Sequence, residues 1–359
     1  MAKRSALRGY LLEEALAWLL RHSGYRLLVD YRQDDAELIG SGGALRVRGR
    51  GAVHQVDVLG EFAFTPAFSL PVRLFLEAKH YSTPCELEVV RNAHGVLHDV
   101  NENFMSHAGA RPRRRYQYTY ALFSANGFTQ SAQQYALAHQ ISLVDLSGKS
   151  FTWLRNAIRT AAASLYSAQN THAVARFPVT WMRKVLREAF GTWPTGVPPL
   201  LVDTSAEQFK AAASVILAQF VDTLEQHAAA ELLLGFPAAP FILPLVAEDQ
   251  EQFLSYAEQC PDHAVRLRRS GQGASAEWML SPREDEGVYR LAFKLPEHIE
   301  VWISGIEEKE RQRILDIKQQ FLSSITIYRM NGSGVRAYQL IYEPSELRLS
   351  PDGGQQQID

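Results

Sequence analysis

Residues 5 to 22 are strong helix formers whose apolar positions run nearly all round the helix, and Gly24 ends the pattern, which predicts a buried helix. Beyond it the period shortens. Strands are predicted at residues 25 to 31, at 44 to 50 after the turn Gly40-Ser41-Gly42-Gly43, and at 54 to 60 and 72 to 79, the last two rich in β-branched and aromatic residues. Thr83-Pro84 opens a helix to about Met105, an aromatic strand covers 116 to 123, Asn126-Gly127 turns the chain, Thr129 caps a helix to His139, and 141 to 146 is a short strand. Strands alternating with helices predict an α/β unit, a central mixed sheet flanked by helices, over residues 1 to 168.

Residues 169 to 178 are polar and aperiodic, and read as a linker. After it come a helix near 180 to 190, a long helix at 206 to 234, a strand at 241 to 246, hairpin-like segments between 265 and 303, a helix at 306 to 323 and a hairpin at 325 to 342 turned at Asn331-Gly332. Residues 179 to 348 are therefore expected to form a second, α+β domain, with a disordered tail at 349 to 359.

Composition narrows the class without naming a function. With 359 residues, 46% hydrophobic and 21% charged, the chain fits two globular domains. No signal peptide and no membrane span are expected, because Met1-Ala2-Lys3-Arg4 leads into a charged helix and the most apolar stretch, 209 to 234, carries Lys210, Asp222, Glu225 and His227. Two distant cysteines, Cys85 and Cys260, fit neither a disulfide framework nor a zinc site, and a cytoplasmic setting is expected. The net charge of -2 conceals an asymmetry: residues 1 to 169 hold 19 Lys/Arg against 14 Asp/Glu, a balance of +5, and the rest carries -7. The sign of the first half suits a polyanionic partner.

One constellation carries chemistry. In His54-Gln55-Val56-Asp57-Val58-Leu59-Gly60 the alternation assigns Val56 and Val58 to one face and Asp57 to the other; in Leu74-Phe75-Leu76-Glu77-Ala78-Lys79 a spacing of two puts Glu77 and Lys79 on one face. Adjacent strands would unite Asp57, Glu77 and Lys79. Such a set suits phosphodiester hydrolysis, whose anionic transition state the carboxylates would only repel unless they held Mg²⁺, a hard cation that prefers oxygen ligands and acidifies bound water. A lysine beside it would orient the attacking water. Taken without that set, Glu77 and Lys79 are a solvated strand face. Arg111-Pro112-Arg113-Arg114-Arg115 reads either as a solvated loop or, through Arg113, Arg114 and Arg115, as a contact to phosphates flanking the scissile one. His94 and His98 share a helix face but lack a third ligand. Tyr116, Tyr118 and Tyr120 read as core or sheet surface.

Asp57 with Glu77-Ala78-Lys79 resembles the PD-(D/E)XK nuclease signature, and other pieces resemble its Mrr-like branch, restriction endonucleases often assigned to methylation-dependent type IV restriction. Gly9-Tyr10-Leu11-Leu12-Glu13 with Leu19-Leu20 and Gly24-Tyr25 is similar to that branch's opening helix, and the resemblance selects Glu13 over Glu14 as its carboxylate. Glu77-Ala78-Lys79-His80-Tyr81 is similar to its second active-site strand, with Ala78 where many relatives carry Cys. Phe123-Ser124-Ala125-Asn126-Gly127-Phe128-Thr129 with Ala132, Tyr135, Ala136 and His139-Gln140-Ile141 is similar to the branch's next segment. The resemblance spans residues 5 to 150. It implies a restriction-endonuclease-like core, catalytic residues Glu13, Asp57, Glu77 and Lys79, and Mg²⁺ (with Mn²⁺ as a substitute) on Asp57 and Glu77. DNA is the implied substrate, in restriction or defence, with a homodimer if both strands are cut. The other readings are a catalytically inactive nucleic-acid-binding or sensing module of the same fold, and an RNA-processing nuclease.

Overall fold

The computed structural model describes residues 3–41, 44–65, 67–103, 114–198, 205–227, 233–239, 241–271, 276–304, 307–331 and 334–343. The tail expected at 349 to 359 lies outside them. Helix α1 (Arg4–Leu19) leads into β1 (Tyr25–Leu28), then a small antiparallel sheet of β2 (Leu38–Ser41), β3 (Ala44–Arg48) and β4 (Val53–Val56). Next come β5 (Val58–Phe62), β6 (Val72–Lys79), α2 (Leu87–Asn101), β7 (Gln117–Ser124), α3 (Gln130–Ala138) and β8 (Ser142–Asp145). The main sheet has the order β1-β5-β6-β7-β8. It is mixed, as the alternation predicted: β1, β5 and β6 pair antiparallel, while β6, β7 and β8 run parallel through helical crossovers.

The period of two sorts the strand residues between two cores. Leu74, Leu76, Ala78, Phe123 and Val144 meet α1 on one face, whereas Leu59, Phe75, Tyr120 and Leu122 meet α2 and α3 on the other. Helix α1 needs apolar residues all round because neighbours enclose it. The sheet lies on one side, and α4 (Thr152–Thr171) and α5 (Val179–Ala189) cover others. Leu7, Leu11, Ala15 and Leu16 are completely buried, and each such leucine stabilises the fold by roughly 2 kcal/mol.

The boundary read at 169 to 178 does not divide the cores. Helix α4 continues to Thr171, and α5 and α6 (Glu207–Gln226) pack into the first core through Met182, Leu186, Phe209, Leu217 and Phe220. The polar stretch turns a helical layer back on itself. The helix expected to reach 234 ends at Gln226, and Leu233 already belongs to a strand.

From Leu233 onward the strands close into a barrel, a closure the local pattern did not reveal. Strands β9 (Leu233–Pro237), β10 (Leu243–Ala247), β11 (Asp262–Ser270), β12 (Glu277–Pro282), β13 (Leu291–Phe293), β14 (Ser324–Asn331) and β15 (Gly334–Tyr342) join in the order β10-β13-β12-β11-β15-β14-β9. A parallel β11–β15 pair is the step that shuts it, removing both sheet edges. Helices α7 (Gln250–Gln259), α8 (Glu297–Ile303) and α9 (Glu307–Gln320) accompany a core centred on Trp278, Phe253 and Tyr338. Buried Glu300 accepts from Trp278 Nε1 and from Arg269.

The barrel meets the first unit on two sides. Met330 N donates to His22 O at 2.8 Å, and Gly24 sits at φ +85°, where a Cβ would press on Phe62 Cε2 at 3.0 Å and Tyr328 Cβ at 3.1 Å. Gly24, four residues past the Leu20 cap of α1, turns the chain into β1 and lets the hairpin approach. On the other side His298 meets Gln133 Oε1 through its backbone N–H and ring. Among the described residues no helix is long and apolar enough to cross a membrane, and Cys85 and Cys260 are both free thiols.

Candidate active site

Asp57 stands where the chain passes from the small sheet to the main one. The segment expected as one strand breaks there into β4 and β5. Val56 consequently enters the α2–α3 core and Val58 the α1 core, so the two valines do not share the face their alternation assigned them. The bend corrects the sequence reading and places the carboxylate. In the antiparallel ladder Val58 lies opposite Leu76, so the next rung sets Asp57 against Glu77.

Asp57 Oδ2 accepts from the backbone N–H of Ala78 at 2.8 Å, the residue between Glu77 and Lys79. Glu77 and Lys79 project from one face of β6, and Lys79 Nζ forms an ion pair with Glu77 Oε1. The other oxygen of Glu77 accepts from Tyr120 OH at 2.6 Å, across the parallel β6–β7 pair. Asp57, Glu77 and Lys79 are thus brought into one cluster, and Glu77 and Lys79 keep about a fifth of their side-chain surface open (18% and 20%).

The cluster carries excess negative charge. Burial pushes Asp57 up to about 6, and Glu77 adds to the rise, against the Ala78 N–H, Lys79 and Arg183. Burial would lower Lys79, but its pairing with Glu77 prevails and holds the amine above its ordinary value. Burial, then the neighbouring Glu77, likewise raises Tyr120, which stays a protonated donor.

Glu13 reaches this cluster from α1. Burial raises it to about 8, and the next cause is the charge of Asp57, with which Glu13 lines one small pocket. Arg183 of α5 donates to Glu13 Oε2, while Arg187, one turn on, grips Glu14 with two bonds of 2.9 Å. Both acids and both arginines are buried, at 7% exposure or less. Unpaired, each would carry a penalty of several kcal/mol. Leu28, Leu45 and Asp57 join these four around a small pocket.

Arg183 and Arg187 escaped the sequence reading, and Tyr120, read there as core or sheet surface and buried as such, also bonds Glu77. A signal for the arginines existed: two adjacent acids on a helix buried all round require cations, and Arg183 and Arg187 are four apart on a helix.

The basic run is not part of the cluster. Arg113 lies outside the described residues. Arg114 and Arg115 are exposed and precede β7, whose other end, Ser124, is the partner of Lys79. Nine residues of extended chain separate Arg115 from that end, about 30 Å. They lie at the end of β7 away from Lys79. His94 instead meets Tyr135 OH and stacks near His139.

Among the described residues no three His, Cys, Asp or Glu side chains form a group able to hold a metal ion. The chemistry of Asp57 and Glu77 nonetheless fits Mg²⁺, which takes one or two carboxylates and keeps several waters. Burial, and after it repulsion by Glu77, raises Asp57, and a bound cation would offset both.

No protein-family model and no curated protein matches the chain. Among solved structures, the crystal structure of a protein of unknown function aligns with 60% of this chain and 98% of its own, at 14% identity and a TM-score of 0.30. That likeness is too slight to carry an argument.

Proposed function

We propose that the chain is a Mg²⁺-dependent nuclease with a PD-(D/E)XK-type, restriction-endonuclease-like core, hydrolysing DNA phosphodiester bonds, in keeping with the Mrr-like resemblance of residues 5 to 150. The observation that supports it most is the bond from Ala78 N–H to Asp57 Oδ2, which ties the isolated acid of one strand to the Glu-x-Lys of the next. In this reading Asp57 and Glu77 would hold Mg²⁺ (or Mn²⁺). When bound, the ion supplies charge neutralisation at the phosphate and acidification of water.

The chain's own residues do the rest. Lys79 positions the attacking water and offsets the charge gathering on the phosphoryl oxygens. Tyr120 fixes the Glu77 carboxylate by its hydroxyl. Arg183 bonds Glu13, which burial keeps largely protonated near neutral pH, and so leaves Asp57 and Glu77 as the acids with charge to share. Cleavage of both strands would need two such sites, hence a homodimer on DNA, and a restriction or defence role would follow.

A second reading rests on the same ion pairs. Lys79 with Glu77 and Arg183 with Glu13 already pair two acids within the protein, which suits a nuclease fold kept for binding or sensing. Plasmid nicking in Mg²⁺ separates the two. Loss of nicking in Asp57→Ala and Lys79→Ala, with Mg²⁺ binding by calorimetry lost only in Asp57→Ala, supports the enzyme. A parent protein that cleaves no DNA or RNA and binds no Mg²⁺ supports the binding module.

A further inference from the structure

The face of the main sheet opposite Glu77 and Lys79 carries a second cluster that the catalytic reading leaves unused. His80 follows Lys79 directly, so alternation turns it toward α1 and α4. Both of its ring nitrogens are buried and have no hydrogen-bond partner on another residue. Arg8 on α1 also buries an Nε without a partner. Burial first, and then the charges of Arg8, Arg159 and Arg155, hold the His80 ring below the ordinary histidine range, so the three cations act on it electrostatically.

Helix packing explains why they meet. Arg4 lies over the Tyr166 ring at 5.3 Å, fixing α1 against α4. Arg8 is one turn further along α1, and Arg159 and Arg155 lie on the same stripe of α4 as Tyr166, at spacings of seven and eleven. The cluster sits beyond the carboxyl ends of the parallel strands: Arg155 donates to Leu146 O and Gly148 O, just after β8, and Ala125 N bonds Lys79 O at the end of β6. Ligands of open α/β sheets gather at such ends.

The charge is unbalanced. Among the described residues none of Arg8, Arg155 and Arg159 makes an ion pair; Arg155 spans carbonyls and Thr152, and Arg159 meets Arg155 O and Asn156. The one acid acting on Arg155 is Asp145. Three like charges around a polar ring call for an anion, and planar guanidiniums match phosphate oxygens two at a time.

We infer that Arg8, His80 and Arg159, braced by Arg155, form a subsite for a backbone phosphate of a nucleic-acid strand that crosses the carboxyl ends of the parallel strands. The inference rests on the nuclease reading for its substrate class but not on catalysis. It also supplies, close to the cluster, the sequence-independent phosphate grip that Arg114 and Arg115 are too distant to give.

The test measures binding in EDTA, with no chemistry possible, by anisotropy of a short fluorescein-labelled DNA duplex over a salt series. Arg8→Gln and Arg159→Gln are each expected to weaken binding roughly tenfold. Each also lowers the log-log salt slope by about 0.9, the value of one phosphate contact. The double variant should lose no further slope, because both side chains grip one phosphate. Arg283→Gln, an exposed barrel residue paired with Glu343, should bind like the parent. Arg159 is exposed, so its variant keeps the fold, which thermal melting checks.

Parental affinity and slope in both variants, or an equal loss in Arg283→Gln, overturns the subsite, as does a parent that binds no duplex. Displacement of the duplex by inorganic phosphate beyond its ionic-strength effect, abolished by Arg8→Gln, overturns it in favour of a site for free phosphate. A slope loss as expected in a protein that cleaves nothing keeps the subsite and rejects the nuclease. Cleavage that persists while the variants bind as the parent does the reverse.

Discussion

Replacing Asp57 by Asn should stabilise the metal-free protein at pH 8. The carboxylate rises from its ordinary 3.8 to about 6 on folding, chiefly through burial and next to Glu77. At about 1.4 kcal/mol per tenfold change in proton affinity, its ionisation in the folded state works against folding by roughly 3 kcal/mol. The sign follows from linkage. A folded value above the unfolded one gives stability that is complete below pH 3.8 and lost as pH climbs through 6. Asparagine is nearly isosteric, keeps an oxygen to accept from Ala78 N–H, and carries no charge. Urea denaturation in EDTA should therefore place the variant about 2 to 3 kcal/mol above the parent at pH 8 and level with it at pH 3.5. Mg²⁺ at pH 8 should close the gap by stabilising the parent alone. A variant less stable than the parent at pH 8 in EDTA would refute the reasoning, because Asp57 would then be an anchor whose charge the fold uses.

Three further outcomes rest on the same geometry. Arg183→Met removes a cation that opposes the rise of Glu13, so the carboxyl stays protonated to higher pH; urea titrations should show the variant still losing stability above pH 8, where the Glu13 contribution in the parent has levelled off, and Glu13→Gln/Arg183→Met should abolish that dependence. Tyr120→Phe removes the 2.6 Å bond to Glu77 and should cut the nicking rate about tenfold while the melting temperature moves little; an unchanged rate would deny the tyrosine its positioning role. Mg²⁺ affinity should rise from pH 5 to pH 7.5 as Asp57 gives up its proton, and calorimetry in buffers of different ionisation enthalpy should register proton release near pH 6.

Local pattern made much of the first unit legible. An apolar circumference foretold that α1 would be enclosed, and a spacing of two was sufficient to put Glu77 and Lys79 side by side, because both properties repeat within one element. The strand period also separated the two faces of β6, which is why His80 and Lys79 part company. Partners remote in sequence were another matter. Arg183 lies 170 residues from Glu13, and nothing in the period of α5 says which buried acids it will meet. The bend at Asp57 arises from competition between two sheets for one chain, so simple alternation misassigned Val56 and Val58. Barrel closure includes a parallel β11–β15 pairing between residues 77 apart, such as Asp262 and Gln339, which no local window contains. Residue types and their periods were determined by the sequence read alone. Which charges meet, which strand ends lie together and where Arg114 and Arg115 fall relative to Lys79 were decided by tertiary packing, since burial and Coulomb energy depend on distance in space.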